Sequence, residues 1–119
     1  MKGIIKMKKD LIKFEDFLKL DIRVGTIISA SEFPEAKKAA YKLMIDFGYD
    51  IGLKKSSAQI TDKYTLEELI GKRILAVVNF SPRQIANYLS EVLVLGVYTD
   101  GGVSLITVDK DANNGDILG

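Results

Sequence analysis

Arg73–Gly96, RILAVVNFSPRQIANYLSEVLVLG, is the stretch around which the rest of the chain is organised. Its apolar ends predict two strands, Arg73–Phe80 and Glu91–Val97. Both are too apolar to keep one face fully wet, so both are expected to lie centrally in a sheet. Between them runs a polar and partly basic loop with Ser81, Arg83, Gln84, Asn87, Tyr88 and Ser90, and no acidic residue before Glu91. A rigid two-strand frame holding a donor-rich loop is a common way to build a recognition surface. Donors of this kind suit phosphate or peptide backbone.

Upstream of the frame, Thr65-Leu-Glu-Glu68 reads as a capping box, with Thr65 and Glu68 satisfying each other's backbone. Leu66, Leu69 and Ile70 form the apolar side of that short helix, and Gly71 is placed to end it. Leu53–Ile60 is a strand of weak propensity, because of its Ser and Lys. Tyr41–Phe47 alternates cleanly, with Leu43, Ile45 and Phe47 on one face, which fits a strand with one buried side. Asp21–Phe33 is a long strand rich in β-branched residues and interrupted by Gly25. An interior glycine there predicts a bulge or sharp bend, as where one strand curls to serve both halves of a barrel. Pro34–Ala40 is a loop or one helical turn containing Lys37 and Lys38, and Gly48–Gly52 is a turn.

At the ends, Leu11, Phe14, Phe17 and Leu18 recur at helical spacing and predict a short helix over Phe14–Leu18. A helix this short is marginal alone and must dock on something. Thr99–Gly102 is a turn, Val103–Val108 a strand, and Asp109–Gly119 a turn-rich tail with a short final strand at Ile117–Leu118. Three strands, a helix and two strands is the layout of an OB-fold, a five-stranded Greek-key barrel. The chain divides into a basic leader (1–13), an N-terminal helix (14–20), a barrel (21–98) and a C-terminal β extension (99–119). The extra elements carry apolar residues near both termini, which points to self-association.

Composition narrows the function. The chain of 119 residues has no cysteine and no histidine, so disulfides, thiolate chemistry, zinc sites of the usual kind and His-based acid–base pairs are unavailable. No nucleotide-binding glycine motif occurs, and no enzyme activity or cofactor is expected. The leader MKGIIKMKK lacks the apolar core and cleavage site of a signal peptide, and no apolar run approaches the roughly 18 residues of a membrane span. A cytoplasmic protein without membrane insertion is the expectation. Met1–Lys13 carries five Lys and one Asp, whereas the remainder holds 12 basic and 15 acidic residues. A dedicated nucleic-acid binder is usually more basic, so RNA contacts here must come from local patches.

Several blocks, in order and spacing, carry a resemblance: FLKLDIRVGTI (17–27), FPEA (33–36), YKL (41–43), KSSAQIT (55–61), YTLEELIG (64–71), VVNF (77–80), PRQIA (82–86) and SEVLVLG (90–96). Together they resemble the tRNA-binding OB domain found on some aminoacyl-tRNA synthetases and on free-standing tRNA-binding proteins. The SSAQIT, NFxPRQIA and SEVLVLG blocks are most similar to the CsaA branch, the export-related chaperones. The resemblance covers nearly the whole chain from Phe14. It implies a homodimer of OB barrels joined through the terminal extensions, with Phe14, Phe17 and Leu18 in the interface. It also implies two kinds of partner, tRNA and unfolded or export-bound polypeptides. On the tRNA side it points to Lys38, Arg83 and Ser90, with Lys37, Lys42 and Asn79 as additions. Phe80, Ile85 and Tyr88 would line a peptide-facing groove. Where the tRNA-binding relatives read HPxADKL and SEGM, this chain has FPEAKKA and SEVL, which favours the chaperone branch. A free-standing protein recognising tRNA shape in trans is the alternative.

Overall fold

The computed structural model describes residues 8–119, so Met1–Met7 of the basic leader lie outside the described residues. In chain order the elements are α1 (Phe14–Leu18), β1 (Ile22–Glu32), β2 (Tyr41–Asp46), β3 (Leu53–Ala58), α2 (Leu66–Leu69), β4 (Arg73–Val77), β5 (Arg83–Ile85), β6 (Tyr88–Ser90), β7 (Leu93–Val94), β8 (Gly96–Thr99) and β9 (Gly102–Leu105). Five strands form one antiparallel sheet in the order β3-β2-β1-β4-β7, which curls into a nearly closed OB barrel. No described helix is long and apolar enough to cross a membrane.

β1 serves both halves of the barrel. Ile22–Thr26 pairs with β4, and Thr26–Glu32 pairs with β2. The register shift falls between Ile27 and Ser29, past Gly25, which stays in the ladder opposite Ile74. Gly25 has a different task from the expected bulge. A Cβ there would lie 2.7 Å from Ile45 Cγ2 and from the Phe47 ring, so only glycine lets β1 pass this close to the core. The shift frees one edge of Ile22–Val24, and the C-terminal tail takes it. Gly115 N donates to Val24 O, Val24 N to Asp116 O and Leu118 N to Ile22 O, at 2.8 to 2.9 Å. The final strand expected at Ile117–Leu118 is thus reduced to a single bridge between Arg23 and Ile117.

The core follows the alternation of β2. Tyr41, Leu43, Ile45 and Phe47 are buried with Ile27, Ile60, Ile74 and Ala76, and burying each large side chain contributes about 1.5–3 kcal/mol. α2 adds Leu69, which is fully buried. Its capping box forms as expected: Glu68 N donates to Thr65 Oγ1, and Thr65 N to Glu68 Oε1. Gly71, at φ +88°, ends the helix and returns its N–H to Ile27 O.

Three expectations change around the organising stretch. Its first strand, β4, is central and buried but stops at Val77. Its second strand is not central: β7 is two residues long, lies at the end of the sheet and leaves Leu93 half exposed. The chain then departs at Gly96, where a Cβ would strike Val103 Cγ1, and pairs instead with Gly102–Leu105 as a separate hairpin. That hairpin shortens the strand expected over Val103–Val108. The intervening segment is no loop: Arg83–Ile85 and Tyr88–Ser90 pair as a small antiparallel hairpin. Its alternation was hidden because most of its side chains are exposed or only partly buried.

The remaining edge of β3 meets the segment Ser90–Val92. Glu91 N donates to Lys55 O at 2.8 Å, and Lys55 N donates to Glu91 Oε1 at 3.0 Å. Ser57 N donates to Ser90 Oγ at 3.0 Å, and Ser56 Oγ to Val92 O at 3.1 Å. These bonds close the barrel. As a test of the packing around β1, Gly25→Ala should cost about 1–3 kcal/mol, because the buried Phe47 ring cannot yield cheaply. Urea unfolding should record a lower midpoint; an unchanged midpoint would refute the close-approach role.

Candidate functional site

The hairpin of β5 and β6 sits on the outside of the barrel over β2 and β3. Its register opposes Arg83 to Ser90, Gln84 to Leu89 and Ile85 to Tyr88, so Ala86 and Asn87 form the tip. Ala86 has φ +50°, unusual for a residue with a Cβ, and its carbonyl accepts from Gln84 Nε2 at 2.9 Å.

Tyr88 anchors the hairpin. Its hydroxyl donates to Leu43 O at 3.0 Å, and its ring meets Phe33 edge-on at 5.6 Å between centroids. Lys42 Nζ lies 5.7 Å from the Tyr88 centroid and 5.6 Å from that of Phe33. Lys55 Nζ lies 5.3 Å from the Tyr88 centroid. Burial, reinforced by the charge of Glu91, pushes the Tyr88 phenol up from its ordinary value, so it remains a hydrogen-bond donor at neutral pH.

Ser90 is buried, and its hydroxyl accepts from Ser57 N. Ser57 is paired with Lys42, and Lys42 with Ser31. Arg83, Ser90, Ser57 and Lys42 therefore form one lateral row. Lys37 and Lys38 are exposed on the connection just before β2. Among the described residues the ion pairs are Lys19–Asp16, Arg23–Asp21 and Arg73–Asp111, which leaves Lys37, Lys38, Lys42 and Arg83 without a carboxylate partner. Beside Phe33 an open recess of about 330 Å³ is lined by Pro34, Ala36, Ala39, Ala40 and Tyr41, with Glu32 and Thr61 at its polar margin.

The other expected site residues are placed differently. Asn79 is committed to the start of β1: its Oδ1 accepts from Asp21 N at 2.9 Å and its Nδ2 donates to Lys19 O at 2.7 Å. Phe80, next to it, is half exposed, and Ile85 is partly buried opposite Tyr88. α1 buries none of its residues. Phe14 is 69% and Leu18 62% exposed, and Phe17 is partly buried with its ring stacked on Phe14. The tail adds Ile117 and Leu118, both exposed, beside the start of β1. Sequence reasoning missed Phe33, Lys55 and Ser57 as members of the surface around Tyr88. The alternation of Lys55 and Ser57 along LKKSSA is the signal that could have found them. Among the described residues no cluster of three or more metal-ligating side chains occurs.

A nearly closed OB barrel that carries Arg83 and Tyr88 on an outer hairpin defines a binding module. The tRNA_bind family model, described as "Putative tRNA binding domain", matches residues 22–117. The methionine–tRNA ligase of Flavobacterium johnsoniae is 38% identical over 109 residues, and that of Methanocaldococcus jannaschii is 36% identical over 115. These matches take in 91% and 96% of this chain but only 15% and 17% of the ligases, so the chain spans about a sixth of their length. Among solved structures, the CsaA chaperone protein of Picrophilus torridus superposes with a TM-score of 0.88 at 57% identity, covering 92% of this chain and all of that one. The chaperone CsaA of Bacillus anthracis gives 0.86 at 50% identity, with the same coverage. The chain belongs to the tRNA-binding domain family, and within it to the CsaA branch.

Two measurements test the anchoring. Ser90→Ala leaves the Ser57 N–H without its acceptor at a partly buried position and should cost about 1 kcal/mol or more in urea unfolding. Burial raises the phenols of Tyr41 and Tyr88. Their contribution is therefore complete below the unfolded value near pH 10 and is lost as pH climbs through the higher folded values. Stability followed against pH should fall on that alkaline side, and Tyr88→Phe should make the fall shallower.

Proposed function

We propose that the chain is a non-enzymatic, dimeric protein of the cytoplasm that holds unfolded or export-bound polypeptides and also binds tRNA. The observation that carries this reading is the match to CsaA chaperones over their entire length. The outer face supports both uses. Lys37, Lys38, Lys42 and Arg83 offer unpaired charge that suits phosphates, while Ser90 holds the backbone beside them and Asn79 holds the start of β1 instead. Tyr88, Ile85 and Phe80, with the recess beside Phe33, offer apolar lining for an extended polypeptide. The exposed apolar face of α1 is what a second copy would cover, because a five-residue helix has little stability of its own. Phe14, Phe17 and Leu18, with Ile117 and Leu118, form that contact.

A second reading, a free-standing protein that recognises tRNA shape in trans, is favoured by the family model and by the ligase domains. Salt titrations of total tRNA and of an unfolded export precursor, run side by side, separate the two. The chaperone reading predicts saturable precursor binding and delayed aggregation, and it fails if neither occurs. tRNA affinity should fall steeply with salt, and Arg83→Ala should lower the slope by about one phosphate's worth. Phe14→Asp combined with Phe17→Asp should give monomers by light scattering; a persisting dimer would move the interface elsewhere.

A further inference from the structure

Lys55 is a cation to which the site as described gives no role. It lies diagonal to Lys42 across the β2–β3 ladder, since Lys42 opposes Ser57 and Met44 opposes Lys55. Both ammonium groups rest near one ring, 5.3 and 5.7 Å from the Tyr88 centroid. Among the described residues neither has a carboxylate within ion-pair distance. Glu91, the acid that bears on this cluster, turns its carboxylate to the Lys55 backbone amide instead. The ring itself is fixed, by its hydroxyl to Leu43 O and by the edge-on contact with Phe33. Two ammonium groups without carboxylate partners at one fixed ring offer positive charge that an anion can satisfy. A ring already engaged by two ammonium groups is poorly placed to stack on a base.

We infer that Lys42, Lys55 and Tyr88 form a clamp for one phosphate of an RNA backbone, the ring serving to position the two lysines and not as a base-stacking platform. The inference rests on the tRNA-binding reading above. Ser31 and Ser57 flank Lys42 in the same row, on the same face, and supply hydroxyl donors for the phosphate oxygens. Arg83 at the far end of the row receives a neighbouring phosphate. Recognition through such a row follows the backbone and is indifferent to base identity.

The experiment measures binding of the full chain to oligouridylate, to an abasic ribose-phosphate strand of equal length and to a polyglutamate peptide, over a range of salt. The clamp predicts abasic binding within about threefold of oligouridylate, whereas loss of a stacked base would weaken it roughly 5- to 150-fold. Lys55→Ala should lower the salt slope for both strands by about 0.7, and Lys55→Arg should retain it. An unchanged slope in Lys55→Ala, loss of abasic binding, or preference for polyglutamate over both strands would overturn the clamp while leaving tRNA binding by the wild-type chain intact. If the wild-type chain binds neither total tRNA nor oligouridylate, the tRNA reading falls, and the clamp with it.

Discussion

The barrel depends on a seam that is sewn largely by side chains. The five strands of the sheet are joined by four ordinary backbone ladders, but the other edge of β3 reaches the segment Ser90–Val92 through one backbone bond and three bonds that use Ser56, Ser90 and Glu91. Ser56 and Ser90 are buried polar residues, and each hydroxyl has a partner there. Left unpaired, each such group would cost about 1–3 kcal/mol, so closure and hydroxyl placement are inseparable. Val92, buried two residues beyond Ser90, belongs to the same core as Leu43 and Phe47. The apolar interior is therefore only as complete as this polar join.

The same join carries the functional surface. Tyr88 and Ser90 alternate along β6, and each ties the hairpin to the β2–β3 side of the barrel. The hairpin stands on the seam, and Arg83 and the Tyr88 ring inherit their positions from it. Near the start of β1, Asn79 bonds the turn that follows α1, whose apolar side faces outward, and the C-terminal tail pairs with β1 itself. The two surfaces have separate supports: one is built on the seam, the other on the edge that β2 leaves.

Much of this was legible in the chain itself. Clean alternation at Tyr41–Phe47, the Thr65–Glu68 capping box and the spacing of Phe14, Phe17 and Leu18 each encode a local structure, and each appears where the pattern puts it. The order of elements was enough for an OB barrel. The hairpin was not legible because neither face of Arg83–Ser90 is mostly buried, so no period of two marks it. The brevity of β7 was hidden for another reason. SEVLVLG is apolar throughout, but Gly96 redirects the chain by a contact with Val103 that no local pattern records. Ser90 was expected, by resemblance in the SEV block, to face tRNA; its burial at the seam was not legible.

The seam has a dynamic consequence. Amides of Lys55 and Ser57 are held at this edge by side-chain acceptors, which can let go by rotation about a single bond, without displacing a strand. Local opening should therefore begin here, and these amides should exchange their hydrogens sooner than those of β1. Because the hairpin is fastened to the same strands, each opening also loosens it. A ligand that bridges the hairpin to β2 and β3 acts as a latch, and its occupancy would be read in slowed exchange at two amides it never touches.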